Sequence, residues 1–363
     1  PRTPAVRSGG RPLVAAQLPE PQRATRWQIV CLALGLLLVA VLIHGVGLGA
    51  VLRAFQRLGW LTPLIVVPYF SAYIADSFGW WWILSRDFTS PVECPALAPP
   101  RLFAIRAAGE VVNAITPTAY LGGEPVKAWL LHQHGIPIAP GLASVLVSKT
   151  ALMLTQGAYV LLGLLIALPE WQPAVPLPLA AAAGILLVIL MCLLLIGVQR
   201  RGLFGFLLGL SRRWTGRKGM LGAWESDILA LDQHLREFYG GSLRNFLICC
   251  GFHFLGWVVG SCEVYLILWM LGSPVGFLTA LSIDALSSVA KLSAIIVPGS
   301  LGIQESGQIL IFLGFGLGAP AALTFGLLRR GRELLWVGLG LIVLTRYQAL
   351  GWLRERRRAD GEA

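Results

Sequence analysis

Charged and amide side chains recur at helical spacing inside stretches that are otherwise apolar. Arg106, Glu110 and Asn113 come first, then Glu124 and Lys127, then Lys149. A second series follows at Asp284, Ser287, Ser288 and Lys291, then Gln304, Glu305 and Ser306, then Arg330. Such groups are costly in hydrocarbon; where they persist they pair with one another and mark substrate, ion or proton paths. Arg106 and Glu110 stand four residues apart, which predicts an ion pair on a helical face shared with Asn113. Asp284, Ser288 and Lys291 line another such face. Carboxylates offset cations in both series, which lowers the cost of burial, and the cations suit a phosphate. The candidate binding residues are therefore Arg106, Glu110, Asn113, Glu124, Lys127, Lys149, Lys291, Glu305 and Arg330. Glu110, Glu124 and Glu305 would position the cations or exchange protons. A single buried pair of this kind can be purely structural, whereas the set as a whole points to a path. Asp76 and Glu263, inside apolar runs, are weaker candidates that pair locally or line a cavity. His253 reads as a hydrogen-bonded core residue.

The two series are related. A gapless shift of 181 residues places Pro117 on Pro298, Glu124 on Glu305, Glu110 on Lys291, Gly135 on Gly316 and Lys149 on Arg330. Prolines and charges at matched positions in two halves, within interrupted apolar segments, point to a binding site at a repeat interface. Pro117, Gly122 and Gly123 would break the first helix, and Pro298, Gly299 and Gly302 the second. If the two breaks meet at the repeat axis, Glu110 can pair with Lys291.

The elements that must hold these residues are membrane spans. The chain of 363 residues is 56% hydrophobic and only 13% charged, far from soluble averages. Runs long enough to cross hydrocarbon lie at 27–46, 61–84, 177–198 and 243–271. A further apolar run extends from about 150 to 168. The net charge of +11 sits in clusters beside these runs: before 27, at 199–219 and after 353. That placement sets topology and attracts anionic lipid, and excludes a nucleic-acid partner. The six cysteines show no metal or disulfide spacing, so no metal site is expected. Trp80, Trp81, Trp82, Trp257 and Trp269 read as interfacial anchors and packing groups.

With residues 1–26 a disordered cytoplasmic tail, the loop at 169–176 faces outward and the basic stretch 199–219 inward only if region 101–148 leaves and returns on one side. The same logic makes region 280–330 re-entrant from the outer side. One tension remains: Arg329, Arg330 and Arg332 would then lie near the outer face, against the charge bias. Stretches 47–60 and 221–239 read as amphipathic surface helices. The expected fold is an all-α polytopic membrane protein, an inverted repeat of two halves. Each half has about three full spans plus one re-entrant broken helix. The first repeat would cover 27–176 and the second 177–352, followed by a basic cytoplasmic tail at 353–363.

At these residues the chain resembles the lysylphosphatidylglycerol synthase transmembrane family of flippase-like membrane proteins. The resemblance rests on Asn113, Pro117, Gly122-Gly123-Glu124 and Lys127. A second motif is Pro298-Gly299-Ser300-Leu301-Gly302 followed by Glu305. It spans about residues 27–350 and extends to stand-alone members found with hopanoid-lipid genes. It departs from the family pattern at 116–120, Thr-Pro-Thr-Ala-Tyr, where a Gly or a basic residue is expected after Pro. The resemblance implies a lipid-translocating domain in a bacterial inner membrane, with both termini cytoplasmic. Larger relatives carry a soluble aminoacyl transferase domain; this sequence ends at Ala363 without one, so lipid lysylation is not expected.

The function expected is movement of a lipid with an anionic or phosphate head group between leaflets. No nucleotide-binding loop, zinc helix or nucleophile elbow is present in the sequence, so neither ATP nor another cofactor is expected. The alternatives are a secondary transporter of a small solute and a non-transporting partner of a lipid-modifying enzyme. Membrane lipids are the expected partners, with a second copy of the chain and a lipid-biosynthesis enzyme as candidate protein partners.

Overall fold

A computed structural model describes residues 59–89, 97–115, 122–172, 225–293 and 303–361, with isolated positions at 56 and between 186 and 205. Of residues 60, 62, 115, 290–293, 303, 305 and 347–361 the backbone alone is described. The runs expected at 27–46 and 177–198 therefore lie outside the described residues or almost so, as does the amphipathic stretch 47–60.

Among the described residues all regular structure is helical. The helices are α1 (Thr62–Ile83), α2 (Pro99–Ile115), α3 (Gly123–His132), α4 (Ile138–Ala167), α5 (Glu225–Gly241), α6 (Leu243–Met270), α7 (Phe277–Ser293), α8 (Ile303–Gly314) and α9 (Ala319–Gly361). Prolines start several of them. Pro63, Pro99, Pro140 and Pro320 stand in first turns, where the missing N–H costs nothing and the fixed φ suits a helix. Glycines with positive φ, Gly135 at 89° and Gly316 at 71°, turn the chain between α3 and α4 and between α8 and α9. A side chain there would be strained.

The helix bounds recur at the spacing read from the motifs. Thr62 and Leu243 start α1 and α6, and Ile138 and Ala319 start α4 and α9, each pair 181 apart. The starts of α2 and α7, and of α3 and α8, agree with that spacing to within three residues. Gly135 and Gly316, matched by the same shift, share the left-handed turn.

Helices α1 and α6 form the most extensive pair, and they run antiparallel. Trp82 meets Asn245, Asp76 meets His253 and Ala72 faces Gly256, so numbers rise on one helix as they fall on the other. Glycines bring the two backbones together: a Cβ on Gly79 would sit 3.2 Å from the Cys249 carbonyl, and one on Gly256 3.2 Å from that of Ala72. Small residues of this kind are how helices approach in lipid. Around this pair α4 packs on α7 and α9 packs on α2.

Helices α4 and α6 are each long and apolar enough to cross a membrane. Leu161, Leu165, Leu255, Leu335 and Leu339 point outward, exposed, while Arg106, Glu124, Lys127 and Arg332 are buried. A soluble fold arranges these the other way round.

Two expectations need correcting. The span expected from about 150 begins at Ile138, because Ser144, Ser148 and Lys149 lower its hydropathy yet face protein partners. Helix α9 begins at Ala319, so Arg329, Arg330 and Arg332 sit about 15 Å or more along it. They are buried or nearly so, within a helix rather than in a loop of the kind that the charge bias counts.

Candidate functional site

Helices α2 and α3 build the site. Helix α2 ends at Ile115 and α3 starts at Gly123, with Gly122 as its N-cap. Asn113 closes the gap: its Oδ1 accepts the Gly123 N–H at 2.6 Å, and its Nδ2 donates to Glu124 at 3.3 Å. Two glycines permit the crossing of α2 and α3. A Cβ on Gly123 would lie 2.0 Å from the Gly109 carbonyl oxygen, and one on Gly109 would lie 2.4 Å from the Lys127 stem.

Lys127 lies over Gly109 and bridges two carboxylates, Glu110 at 2.7 Å and Glu124 at 3.0 Å. Glu124 also receives Lys149 from α4 at 3.1 Å. The expected pair between Arg106 and Glu110 is replaced. Arg106 turns to Asp76 on α1 at 2.8 Å, leaving Glu110 to Lys127. The reason is local, because Gly109 has no side chain to keep Lys127 away from Glu110. An Arg-before-Glu order is also the weaker i, i+4 arrangement.

Three carboxylates (Asp76, Glu110, Glu124) thus face three cations (Arg106, Lys127, Lys149), and the formal charges cancel. Arg106, Glu110, Glu124, Lys127 and Lys149 line one cavity with Ser148 and Trp80. Its volume is about 20 Å³, room for about one water. Anything larger enters only if these ion pairs part.

His253, fully buried on α6, joins the cluster from behind. Its Nδ1 lies 2.7 Å from Asp76 Oδ1 and its Nε2 lies 3.2 Å from Ser148 Oγ. A carboxylate only accepts, so Nδ1–H donates to Asp76 and Nε2 accepts from the serine hydroxyl.

A second charged group lies among α6, α7 and α9. Glu263 on α6 is paired with Arg332 and approached by Arg329, while Arg329 also binds Asp284 on α7. Tyr159 donates to Asp284 at 3.0 Å. Arg330 meets Glu333 at 3.3 Å. Here too three cations accompany three carboxylates. Between the groups lie the aromatic rings of Tyr69, Tyr73, Phe103 and Trp336. Arg106 stacks over Tyr73 at 4.9 Å and Arg332 over Tyr69 at 3.8 Å.

The structure therefore gathers Arg106, Glu110, Asn113, Glu124, Lys127 and Lys149 in one place and sets Arg330 apart, in the second group. The side chains of Lys291 and Glu305, and residues Pro117, Pro298, Gly299 and Gly302, lie outside the described residues. Sequence reasoning ranked Asp76 and Glu263 low, although each is the hub of a group. It also passed over Ser148 and Tyr159, and it weighed Arg332 only against the charge bias. The signal was a carboxylate or hydroxyl inside an apolar run, which by default has an inward-facing partner.

No curated protein and no solved structure matches the chain. A family described as the lysylphosphatidylglycerol synthase TM region matches residues 28–341. Most of the sequence falls within that match, and the protein belongs to this family of membrane proteins related to lipid handling.

Proposed function

We propose that the protein moves a lipid with an anionic or phosphate head group between leaflets, without ATP. The observation that carries this reading is the buried, charge-balanced cluster around a cavity at Arg106, Glu110, Glu124, Lys127 and Lys149. A guanidinium and two ammonium groups converge there, a donor set suited to phosphate oxygens. Their carboxylate partners keep the site neutral when empty. A head group exchanges places with Glu110 and Glu124, and the carboxylates displace it on release.

The same reading makes the halves an inverted repeat with re-entrant broken helices. Antiparallel packing of α1 and α6 supports it. If residues 99–132 crossed the bilayer fully and 177–198 crossed once, α6 would run parallel to α1. Helix length adds support: α3, with 10 residues, is about 15 Å long, half the hydrocarbon thickness.

Purified protein in liposomes carrying fluorescent phosphatidylglycerol tests the function, with outer-leaflet dye quenched at intervals. Wild type equilibrates the leaflets without nucleotide, and Glu124→Gln slows the exchange about tenfold, the worth of one charge-assisted hydrogen bond. No exchange above protein-free liposomes overturns the reading.

A further inference from the structure

The Asp76–His253–Ser148 chain plays no part in holding a head group, yet it is built with care. Gly79 and Gly256 leave space for it: a Cβ on Gly79 would lie 3.5 Å from His253 Nε2, and one on Gly256 3.0 Å from Asp76 Oδ1. His253 stands ten residues into α6, about 15 Å along it and so near the bilayer midplane. Ser148 faces the cavity, and Asp76 is the carboxylate that holds Arg106. One end of the chain therefore touches the cavity, and the other touches a cation that lines it.

We infer that His253 is a proton-binding site that couples proton uptake to capture of the anionic head group. This rests on the function proposed above and names its coupling ion. A hydronium ion from solution gives its proton to the Ser148 hydroxyl as that hydroxyl passes its own proton to Nε2, and a neutral water is left in the cavity. No bond other than O–H and N–H changes, and the imidazole gains one positive charge. Asp76 then serves two cations, the imidazolium and Arg106. Arg106 already lines the cavity, and its Nε has no hydrogen-bond partner. It swings from Asp76 to the incoming phosphate. One proton and one anion enter together, so the neutral cluster stays neutral.

The groups facing His253 fit this order of events. Asp76 on α1 stabilises the imidazolium. Lys149 on α4 and Arg106 on α2 oppose it while the cavity is empty, and a bound anion offsets them. Cys249, one turn away on α6, is buried and adds no charge in its thiol form. The order Asp-His-Ser is also that of a nucleophile triad. However, Ser148 lies in the middle of α4, where the backbone N–H groups are committed to the helix and none is left for an oxyanion.

The test uses the full chain in detergent, in weakly buffered solution, with dimethyl phosphate as the probe, a diester that does not itself titrate near neutrality. Wild type takes up about one proton for each dimethyl phosphate bound, as linkage requires. His253→Gln loses that uptake. Ser148→Ala keeps the imidazole, so it keeps the stoichiometry but takes the proton up more slowly, by about a hundredfold. His234→Gln, at a half-buried histidine of α5 packed against Phe88, behaves as wild type. The proposal falls if wild type binds the diester without proton uptake, or does not bind it. It falls equally if a folded His253→Gln retains the uptake, or if Ser148→Ala matches wild type in rate. Should His253→Gln fail to fold, the Ser148→Ala rate decides. Leaflet exchange without proton uptake removes the coupling and leaves lipid movement standing. Proton-linked binding without exchange does the reverse.

Discussion

Glu124 holds two lysines at once, Lys127 at 3.0 Å and Lys149 at 3.1 Å, and this double duty fixes the sign of two substitutions. Glu124→Gln removes one negative charge from a balanced cluster, so the two ammonium groups are left for an anion. Affinity for dimethyl phosphate, measured by calorimetry, is expected to rise about tenfold, because one charge-assisted hydrogen bond no longer competes. Lys127→Gln has the opposite effect. It leaves Glu110 and Glu124 facing each other without their shared cation, lowers the affinity, and destabilises the fold by about 3–5 kcal/mol. Equal effects of the two substitutions would contradict the assignment. At this scale the sequence was informative about which residues are buried and charged, but less so about which pairs they form. Arg106 and Glu110 share a helix, and spacing favoured their pairing. Asp76 lies thirty residues upstream, and only the α1–α2 crossing brings it to 2.8 Å. Pairing across helices is set by tertiary approach, which no local spacing encodes.

The helices show the reverse balance. Their starts follow from Pro63, Pro99, Pro140 and Pro320, and their turns from Gly135, Gly272 and Gly316, all legible as local chemistry. Where a helix crosses another is less legible, because the same residue serves different ends. Gly79 and Gly260 stand 181 apart and look alike in sequence. A Cβ on Gly79 would lie 3.1 Å from the Phe252 Cβ, whereas one on Gly260 would meet nothing within 4 Å. Gly79→Leu is therefore expected to force α1 from α6 at a cost of about 1–3 kcal/mol and to disturb the Asp76–His253 contact. Gly260→Leu should leave thermal unfolding nearly unchanged. Matching losses at the two sites would mean that the close crossing is not where Gly79 and Gly256 put it.

At the scale of the whole molecule, charge bias, helix direction and the repeat constrain one another. Let α1 run inward, as the basic stretch ahead of residue 27 requires. Antiparallel α6 then runs outward, so α5, just before it, lies on the cytoplasmic side. The segment between α4 and α5 must then cross inward once, which is what the uncharged run at 177–198 can do. That leaves α4 running outward, and the broken pair α2–α3 between α1 and α4 must enter and leave from inside. On the proposed inverted repeat, an equivalent argument sends α7–α8 in from outside and α9 inward, with its C-terminal end toward the cytoplasm. Each step depends on the one before, so two labels suffice to test the whole. In a cysteine-free background reconstituted in right-side-out vesicles, Glu170→Cys, beyond α4, should react with a membrane-impermeant maleimide at once. Gln233→Cys, on the exposed face of α5, should react only after permeabilisation. If both react from the same side, region 99–132 crosses the bilayer instead of returning. The two charged groups would then lack the two-fold axis in the membrane plane that the proposed inverted repeat requires.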